Sequence, residues 1–187
     1  MNCYLYSNDL PDEGVDVIIN IGDSTTTLMC WGKSHRFFIR ELGVSGSHFT
    51  DAVMKSNDVD YETAINIKHE KGIESINVSE EESEKDKEHD PLAIKVEQKT
   101  VFSNLIDEIR KTLRYYMKTS NQAYFNKFYL CGGSSTMHGL KESIIENLNV
   151  EAEVLDPFNN TECSIDIDNP SQYTVAIGMA LRGLDNG

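Results

Sequence analysis

The stretch that decides the fold is YLCGGSSTMHGL, residues 129–140. Its apolar start is typical of a short strand that ends at Gly132 and Gly133, and the rest predicts a turn that opens a helix. A glycine pair has no side chains to keep another group away from the main chain. The stretch therefore predicts a place where a flat ring, such as a purine, could lie against the backbone, with the following N–H groups turned toward it.

A second segment of the same kind, INIGDSTTTLMCW at 19–31, lies upstream. It also joins a strand to a glycine, here followed by hydroxyl side chains. Two such turns in one domain suggest that a nucleotide is held between them. Each turn alone also has a purely structural explanation, because glycine is common wherever a strand turns sharply.

Hydrophobic patterning predicts an α/β protein with alternating strands and helices. An apolar run typical of a central strand buried on both faces opens the series, and residues 101–117 carry a three-four apolar stripe. Ser47 and Asp60 are candidate helix N-caps, and Gly72 ends the helix that Asp60 begins. The predicted strands are 15–21, 25–31, 35–42, 127–131 and 153–155, and the predicted helices are 47–54, 60–69, 101–117, 139–148 and 173–184.

The composition limits the class of partner. The chain has 187 residues and a net charge of −14, which argues against a nucleic-acid binder and against charge-driven adhesion to an anionic membrane. No hydrophobic run is long enough to span a bilayer and no signal peptide is recognised, so a cytoplasmic location is expected. The cysteines lack paired spacing and are expected to be free thiols: Cys3, Cys30, Cys131 and Cys163.

The first residues and one tract in the middle of the chain differ in composition from the rest. Residues 1–14 are polar and are interpreted as a linker remnant before one domain at 15–187. The tract SEEESEKDKEHDP at 79–91 has seven acidic and two basic side chains and nothing apolar. Such a segment cannot bury enough surface to offset its ordering entropy, which predicts a disordered acidic loop at about 78–92.

The order of these motifs resembles a known family. INIG at 19–22, DYETAINIKHEKG at 60–72, GGSSTMHG at 132–139, LDPF at 155–158 and TVAIGMALRGL at 174–184 are similar to the C-terminal half of an actin-like ATPase. Within that superfamily the chain looks most like the type IV pilus assembly protein PilM family, related to the division protein FtsA. The resemblance implies one lobe of an actin-like, ribonuclease H-like fold: a mixed sheet with flanking helices and a small helical or loop insertion.

The resemblance also implies a ligand, ATP with Mg²⁺, and residues to hold it. No catalytic residue and no protein metal ligand is assigned. The first turn would meet the phosphates and the second would pack on the base and ribose. Lys68 would reach the sugar or base, although a solvated helix lysine is an equally good interpretation. The implied site is Gly22, Ser24, Thr25, Thr26, Lys68, Gly132, Gly133 and Ser134.

Three positions depart from the family pattern: Asn20, Ile65 and His138, the last in place of a common proline. Asn20 stands where a carboxylate usually helps to hold the hydrated ion, and Ile65 stands where many relatives have a ribose-binding glutamate. An amide supplies no charge, so ion binding and water activation should both weaken. A lobe that carries the first phosphate loop is not recognised either, so ATP hydrolysis by this chain alone is not expected.

By resemblance, the chain is a cytoplasmic scaffold of the inner-membrane pilus assembly platform. Its partners would be pilus assembly proteins such as PilN, reached through an N-terminal lobe, with no nucleic acid, no direct membrane insertion and possible self-association. The alternatives are an active enzyme of the same superfamily, such as a small-molecule kinase, a non-nucleotide interaction fragment, and an FtsA-like cell-division actin homologue.

Overall fold

A five-stranded mixed sheet organises the chain. The computed structural model describes residues 1–77, 100–121, 124–160 and 167–184. The strands are β1 (Asp16–Ile21), β2 (Thr26–Trp31), β3 (Phe38–Leu42), β4 (Phe128–Cys131) and β5 (Ala152–Val154). They lie in the order β3-β2-β1-β4-β5. The first three form an antiparallel meander, whereas β4 pairs in parallel with β1 and with β5. The predicted mixed sheet is confirmed.

Helices cover both faces of the sheet. They are α1 (Asn2–Ser7), α2 (Gly46–Asn57), α3 (Tyr61–Lys71), α4 (Glu74–Asn77), α5 (Val101–Ser120), α6 (Leu140–Leu148) and α7 (Thr174–Leu184), with a 3₁₀ turn at Pro170–Tyr173. Asp60 caps α3 as predicted, because its carboxylate accepts the Thr63 N–H at 2.8 Å. In the part of the chain that the structure describes, no helix is long and apolar enough to cross a membrane.

The larger core lies between one sheet face and helices α2, α5 and α6. β1 and β2 turn alternate side chains toward it, and α5 contributes the apolar stripe that its sequence predicts. Each fully buried aliphatic side chain adds about 1.5–3 kcal/mol of hydrophobic stabilisation. The buried residues of α5 on this face are Leu105, Ile106, Ile109, Leu113 and Tyr116.

Helix α1 and part of α7 cover the opposite face, where Ile18, Tyr129 and Cys131 form a second, smaller cluster. Cys3 and Tyr4 of α1 are fully buried in it. The interpretation of residues 1–14 as a linker remnant is therefore wrong for residues 2–7. With six residues, α1 is too short to show a helical periodicity of its own, and the sheet beneath it supplies the contacts that hold it.

A buried polar pair fastens α1 to β1. The Tyr4 hydroxyl donates a hydrogen bond to the Asp16 carboxylate, and both residues are at most 5 % exposed. Gly178 of α7 lies against the same helix, because a Cβ there would stand 3.3 Å from the Cys3 backbone nitrogen. Cys3, Cys30 and Cys131 are free thiols, as predicted, and all three are buried. Cys163 and the acidic loop predicted at about 78–92 lie outside the described residues.

Candidate functional site

The two glycine turns lie side by side at one edge of the sheet. β1 and β4 are parallel neighbours, with Asn20 opposite Cys131, so their carboxyl ends meet at the same edge. The Ser134 N–H donates to the Ile21 carbonyl oxygen at 3.2 Å and joins the two turns directly. The two turns that the sequence predicts to converge are thus adjacent in the fold.

The β1–β2 turn exposes two of its three predicted hydroxyl side chains. The Gly22 N–H donates to the Thr25 carbonyl at 3.0 Å and closes a tight hairpin. Ser24 and Thr25 are exposed, but Thr26 is 0 % exposed and its hydroxyl has no hydrogen-bond partner among the described residues. The expectation that the Thr26 hydroxyl meets a phosphate is wrong for this structure, because β2 has already begun there and turns that side chain inward.

The two glycines of the second turn, Gly132 and Gly133, differ in the space that each leaves for a side chain. Gly132 has φ +91°, and a Cβ there would stand 2.6 Å from both the Asn20 Oδ1 and the Ile21 carbonyl oxygen. The fold itself requires glycine at this position. A Cβ on Gly133 would meet nothing within 4 Å. Gly133 is therefore the position at which the main chain faces open space that a ligand could use.

Backbone N–H groups after the glycine pair are already engaged. Ser134 donates to Ile21, Ser135 to the Gly132 carbonyl at 3.1 Å and Met137 to the Ser134 carbonyl at 3.2 Å. Ser134 itself is only 4 % exposed. The expectation that these three groups face a ligand is wrong. A hydrogen-bonded turn separates Gly133 from α6, so the helix N-terminus does not lie at the glycine pair.

The first turn of α2 holds the β1–β2 turn in place. The Gly46 N–H donates to the Gly22 carbonyl and the Ser47 N–H to the Asp23 carbonyl, both at 2.8 Å. A Cβ on Gly46 would stand 2.5 Å from the Ser134 Oγ, so this glycine lies where both turns meet. The backbone amides of this helix end therefore bind the chain itself.

Ser45, and not the predicted Ser47, caps α2. Its hydroxyl lies 2.9 Å from His48 Nδ1, and the same nitrogen accepts the Ser45 N–H at 3.1 Å. This is a capping box with histidine where the usual motif has Glu or Gln. The substitution hides the motif from a pattern search, which explains why the sequence placed the cap two residues too late.

Lys68 is buried beside this junction. It is 5 % exposed, and its Nζ donates to the Thr50 hydroxyl at 2.8 Å. Thr50 in turn donates to the Gly46 carbonyl at 3.2 Å. Burial lowers the pKa of Lys68, and the charge of Asp23 opposes that shift only in part. The interpretation of Lys68 as a solvated helix lysine is wrong, and its tie to the α2 turn is new information that the sequence did not carry.

A segment that the sequence did not single out forms hydrogen bonds with the glycine pair. The Gly132 N–H donates to the Ser171 carbonyl, and the Asn169 side-chain amide donates to the Gly133 carbonyl, both at 3.1 Å. Ser171 Oγ also lies 2.7 Å from Ser135 Oγ. These residues fall between the predicted strand at 153–155 and the predicted helix at 173–184, and no motif marks them. Their hydrogen bonds fix the orientation of the Gly133 peptide.

Asn20 and Cys131, just before the two turns, contact each other. Asn20 Oδ1 accepts a weak hydrogen bond from the Cys131 thiol at 3.8 Å, and burial raises the pKa of that thiol to about 12, so it stays protonated. Among the described residues, no group of three or more His, Cys, Asp or Glu comes together to hold a metal ion. The exposed hydroxyls of Ser24 and Thr25 and the open face at Gly133 are the groups that can meet a ligand.

Comparison with known proteins adds a family and a fold. Residues 71–184 match the sequence profile of a family described as type IV pilus assembly protein PilM. No curated protein matches the chain in sequence.

Solved structures share the fold at low sequence identity. A PilM-PilN type IV pilus biogenesis complex matches with 24 % identity and a TM-score of 0.67, over 93 % of this chain and 47 % of that chain. The ethanolamine utilization protein EutJ from Carboxydothermus hydrogenoformans matches with 16 % identity and a TM-score of 0.59, over 90 % and 49 %. MreB5 of Spiroplasma citri bound to AMPPNP matches with 14 % identity and a TM-score of 0.60, over 99 % and 59 %.

The matched structures define what portion of a larger fold this chain represents. The chain spans about half the length of the first two proteins. Its mixed sheet with flanking helices is consistent with one lobe of an actin-like fold, which confirms the fold class that the resemblance implied.

Proposed function

We propose a function from one premise: this chain belongs to the family of the type IV pilus assembly protein PilM. It acts as the C-terminal, nucleotide-binding lobe of a PilM-like scaffold in the inner-membrane pilus assembly platform. It works on the cytoplasmic face and associates with the membrane through partners. Pilus assembly proteins of the PilN kind are the first candidates, because a matched structure is itself a PilM-PilN complex.

The observation that carries the nucleotide part is the open face of Gly133 beside the β1–β2 turn. Gly132 is glycine because the fold demands it, whereas no neighbour within 4 Å explains glycine at 133. A base or ribose lying there would place its phosphates toward Ser24 and Thr25, since the two turns are joined by the Ser134–Ile21 hydrogen bond. The ligand that fits this arrangement is ATP with Mg²⁺, and a matched MreB5 is bound to an ATP analogue.

Hydrolysis is not part of the proposed role. Asn20 carries no charge, and its side-chain oxygen accepts from Cys131. Fast phosphoryl transfer needs a site closed to water and positioned charges around the transferred group. A single lobe offers one wall of such a site. ATP therefore acts as a ligand that stabilises a two-lobe conformation. The affinity of ATP for this chain alone is weak.

A second candidate function is an interaction module that does not bind nucleotide. The buried hydroxyl of Thr26 and the tie of Lys68 to Thr50 favour it, because both remove groups that the nucleotide site was expected to use. Ile65, half-buried on α3, supplies no carboxylate for a ribose. In this alternative the fold and a partner surface are retained and the glycine turns are structural.

Replacement of Gly133 by leucine separates the two. The side chain would enter open space, so the fold should tolerate it while the ligand face is blocked. Gly183 in α7 is a matched control, since a Cβ there also meets nothing within 4 Å. ATP with Mg²⁺ is titrated into the wild-type chain at millimolar concentration and followed by amide chemical shifts. Gly133→Leu should weaken binding at least about tenfold, and Gly183→Leu should leave it unchanged.

The outcomes assign the function. Saturable shifts at Ser24, Thr25 and Gly133 that the leucine removes support the nucleotide lobe. If the wild-type chain and a two-lobe assembly built from it both show no magnesium-dependent ATP binding, the interaction module is the correct function. Steady phosphate release by the purified chain, lost in a Ser24→Ala, Thr25→Ala double variant, would instead show an active enzyme.

A further inference from the structure

The outer edge of the sheet is the strand β3. Among the described strands β3 pairs only with β2, so the main-chain groups on its other side have no strand partner there. Its three central residues, Ile39, Arg40 and Glu41, are exposed. An exposed edge strand is a surface on which another extended segment can form main-chain hydrogen bonds.

The two sides of β3 differ in chemistry, because successive side chains of a strand point to opposite faces of the sheet. Phe38 and Leu42 pack in the larger core, so Arg40 between them lies on the core side. Ile39 and Glu41 lie on the opposite side, and Ile39 is 56 % exposed. A strand added to β3 would therefore meet a cation on one side and an apolar side chain next to a carboxylate on the other.

Helix α5 extends the cationic side of this edge. The ring of Tyr115 lies 6.0 Å from the ring of Phe38, which places the second half of α5 beside β3. Lys111, Arg114 and Lys118 follow a three-four spacing along the exposed face of the helix, next to Tyr115, which is 54 % exposed. We call Arg40 and these three α5 cations, with Tyr115 and Ile39, the β3–α5 edge.

The acidic residues of α5 do not neutralise this edge. They lie in the first half of the helix and are engaged there: Asp107 is 3.8 Å from Arg110, and Glu108 accepts the Gly43 N–H at 2.6 Å. Within the part of the chain that the structure describes, no salt bridge involves a cation of the β3–α5 edge. The edge is therefore a positive surface on a chain whose net charge is −14.

We propose that the β3–α5 edge binds an extended acidic segment of a partner protein, which adds to the sheet as a sixth strand. Charge complementarity selects an acidic partner, and the open strand selects a polypeptide, since neither an anionic membrane nor a nucleic acid offers main-chain groups that pair with β3. The inference goes beyond the proposed function, because neither glycine turn contributes to this edge.

The two sides of β3 also define the pattern of the segment. Acidic residues at alternate positions would face Arg40 and α5, and apolar residues between them would face Ile39, where Glu41 disfavours a second carboxylate. The chain's own tract at 79–91 is acidic but has nothing apolar, so it lacks this alternation. A second copy that offers the same edge is disfavoured, because the cations of the two copies would repel each other.

The probe is a dye-labelled peptide of alternating glutamate and valine. A peptide of alternating glutamate and proline, equal in length and charge, is its control, because proline lacks the N–H that strand pairing needs. Affinity is measured by fluorescence anisotropy at low ionic strength, and hydrogen exchange of the β3 amides reports strand formation. The wild-type chain should bind the valine peptide at least about tenfold more tightly than the proline peptide, with slower exchange in β3.

Charge reversal tests the cations of the edge. Arg40→Glu and Arg114→Glu each replace an attraction by a repulsion, so each should weaken binding of the valine peptide at least about threefold. Lys55→Glu makes the same change of charge at an exposed position of α2, away from the edge, and should leave the affinity at the wild-type value. All three side chains are exposed, so the variants should fold.

Several results would overturn the inference. Equal affinity for the two peptides would show that charge alone binds them, and an affinity that neither Arg40→Glu nor Arg114→Glu changes would place the peptide elsewhere. Binding to phosphatidylglycerol vesicles or duplex DNA that Arg114→Glu abolishes, without binding of the valine peptide, would assign the edge to that ligand. A wild-type dimer that Arg40→Glu converts to monomer would assign it to a second copy. Peptide binding that appears only when the acidic residues of 79–91 are replaced by their amides would assign it to the chain's own tract.

Discussion

The glycine pair gives the sharpest test of the site geometry, because Gly132 and Gly133 should respond oppositely to the same substitution. Alanine at 132 must adopt φ +91° and bring its Cβ within 2.6 Å of the Asn20 Oδ1 and the Ile21 carbonyl. A side chain in that backbone region costs about 1–3 kcal/mol. Any shift that relieves the contact lengthens the Ser134–Ile21 hydrogen bond, which contributes about 1 kcal/mol.

The unfolded state reduces this cost only slightly. Replacing glycine by alanine stabilises a protein by about 0.4–1 kcal/mol through the unfolded chain. The net expectation for Gly132→Ala is a loss of about 1–3.5 kcal/mol in the free energy of unfolding, by the terms above. Gly133→Ala meets no contact, so it should be neutral or gain up to about 1 kcal/mol.

Urea unfolding followed by circular dichroism measures both variants under the same conditions. A chain of this size should lose about 2–4 °C in melting temperature for each kcal/mol, which gives an independent check on Gly132→Ala. If Gly132→Ala is within about 0.5 kcal/mol of the wild type, an ordinary surface effect, the close approach of the two turns is refuted. An equal loss in Gly133→Ala would refute the open space above that residue.

Three further substitutions test buried polar groups. Thr26→Val removes a buried hydroxyl that no described residue hydrogen-bonds, so it should raise the free energy of unfolding by about 1 kcal/mol in urea titrations, and it should leave ATP binding unchanged. Lys68→Met replaces an ammonium whose pKa is lowered by burial, so it should hold the unfolding free energy within about 1 kcal/mol. Burial raises the pKa of Asp16 above its ordinary 3.8. The folded state therefore binds this proton more tightly than the unfolded state does, and the resulting stability is complete below pH 3.8. That stability is lost as the pH rises through the raised pKa. Asp16→Asn should therefore become steadily more stable relative to the wild type across that window, measured by urea unfolding at a series of pH values.

Each of these three predictions would be contradicted by a specific result. A loss of stability in Thr26→Val would show that its hydroxyl has a partner. A loss well above 2 kcal/mol in Lys68→Met would show that the ammonium is an essential structural contact, a size of effect reserved for specific buried networks. A stability difference between Asp16→Asn and the wild type that does not vary with pH would show that the carboxyl keeps its ordinary pKa in the folded chain.

The sequence predicts the helices and strands that have a local hydrophobic pattern. It also predicts that the two glycine turns lie together, because that follows from the strand order. β1 is an uninterrupted apolar run and α5 an apolar stripe, and each is found within a few residues of its predicted bounds. Once β4 is parallel to β1, the two glycine turns must share an edge, since side-by-side parallel strands end together. Resemblance to a known family then supplies the expected ligand, and its binding role stays a prediction.

What the sequence could not predict depends on contacts between distant segments. α1 is too short to show a helical periodicity and is fixed by the sheet through Tyr4 and Asp16. Lys68 looks like any helix lysine until α2 and α3 pack together and bury it against Thr50. The inward direction of Thr26 depends on the residue at which β2 starts, and a shift of one residue reverses it.

Nucleotide binding and assembly of the two lobes would share the turns that end β1 and β4, and this links their energetics. Those turns would hold the nucleotide, and in the proposed function they form one wall of its site. A second lobe that supplies the other wall would contact the ligand or exclude water from it. Reciprocity then requires ATP to tighten lobe binding by the factor by which the lobe tightens ATP. Weak binding to the chain alone and strong mutual dependence in the assembly are therefore one expectation, and a lobe affinity indifferent to ATP would contradict both.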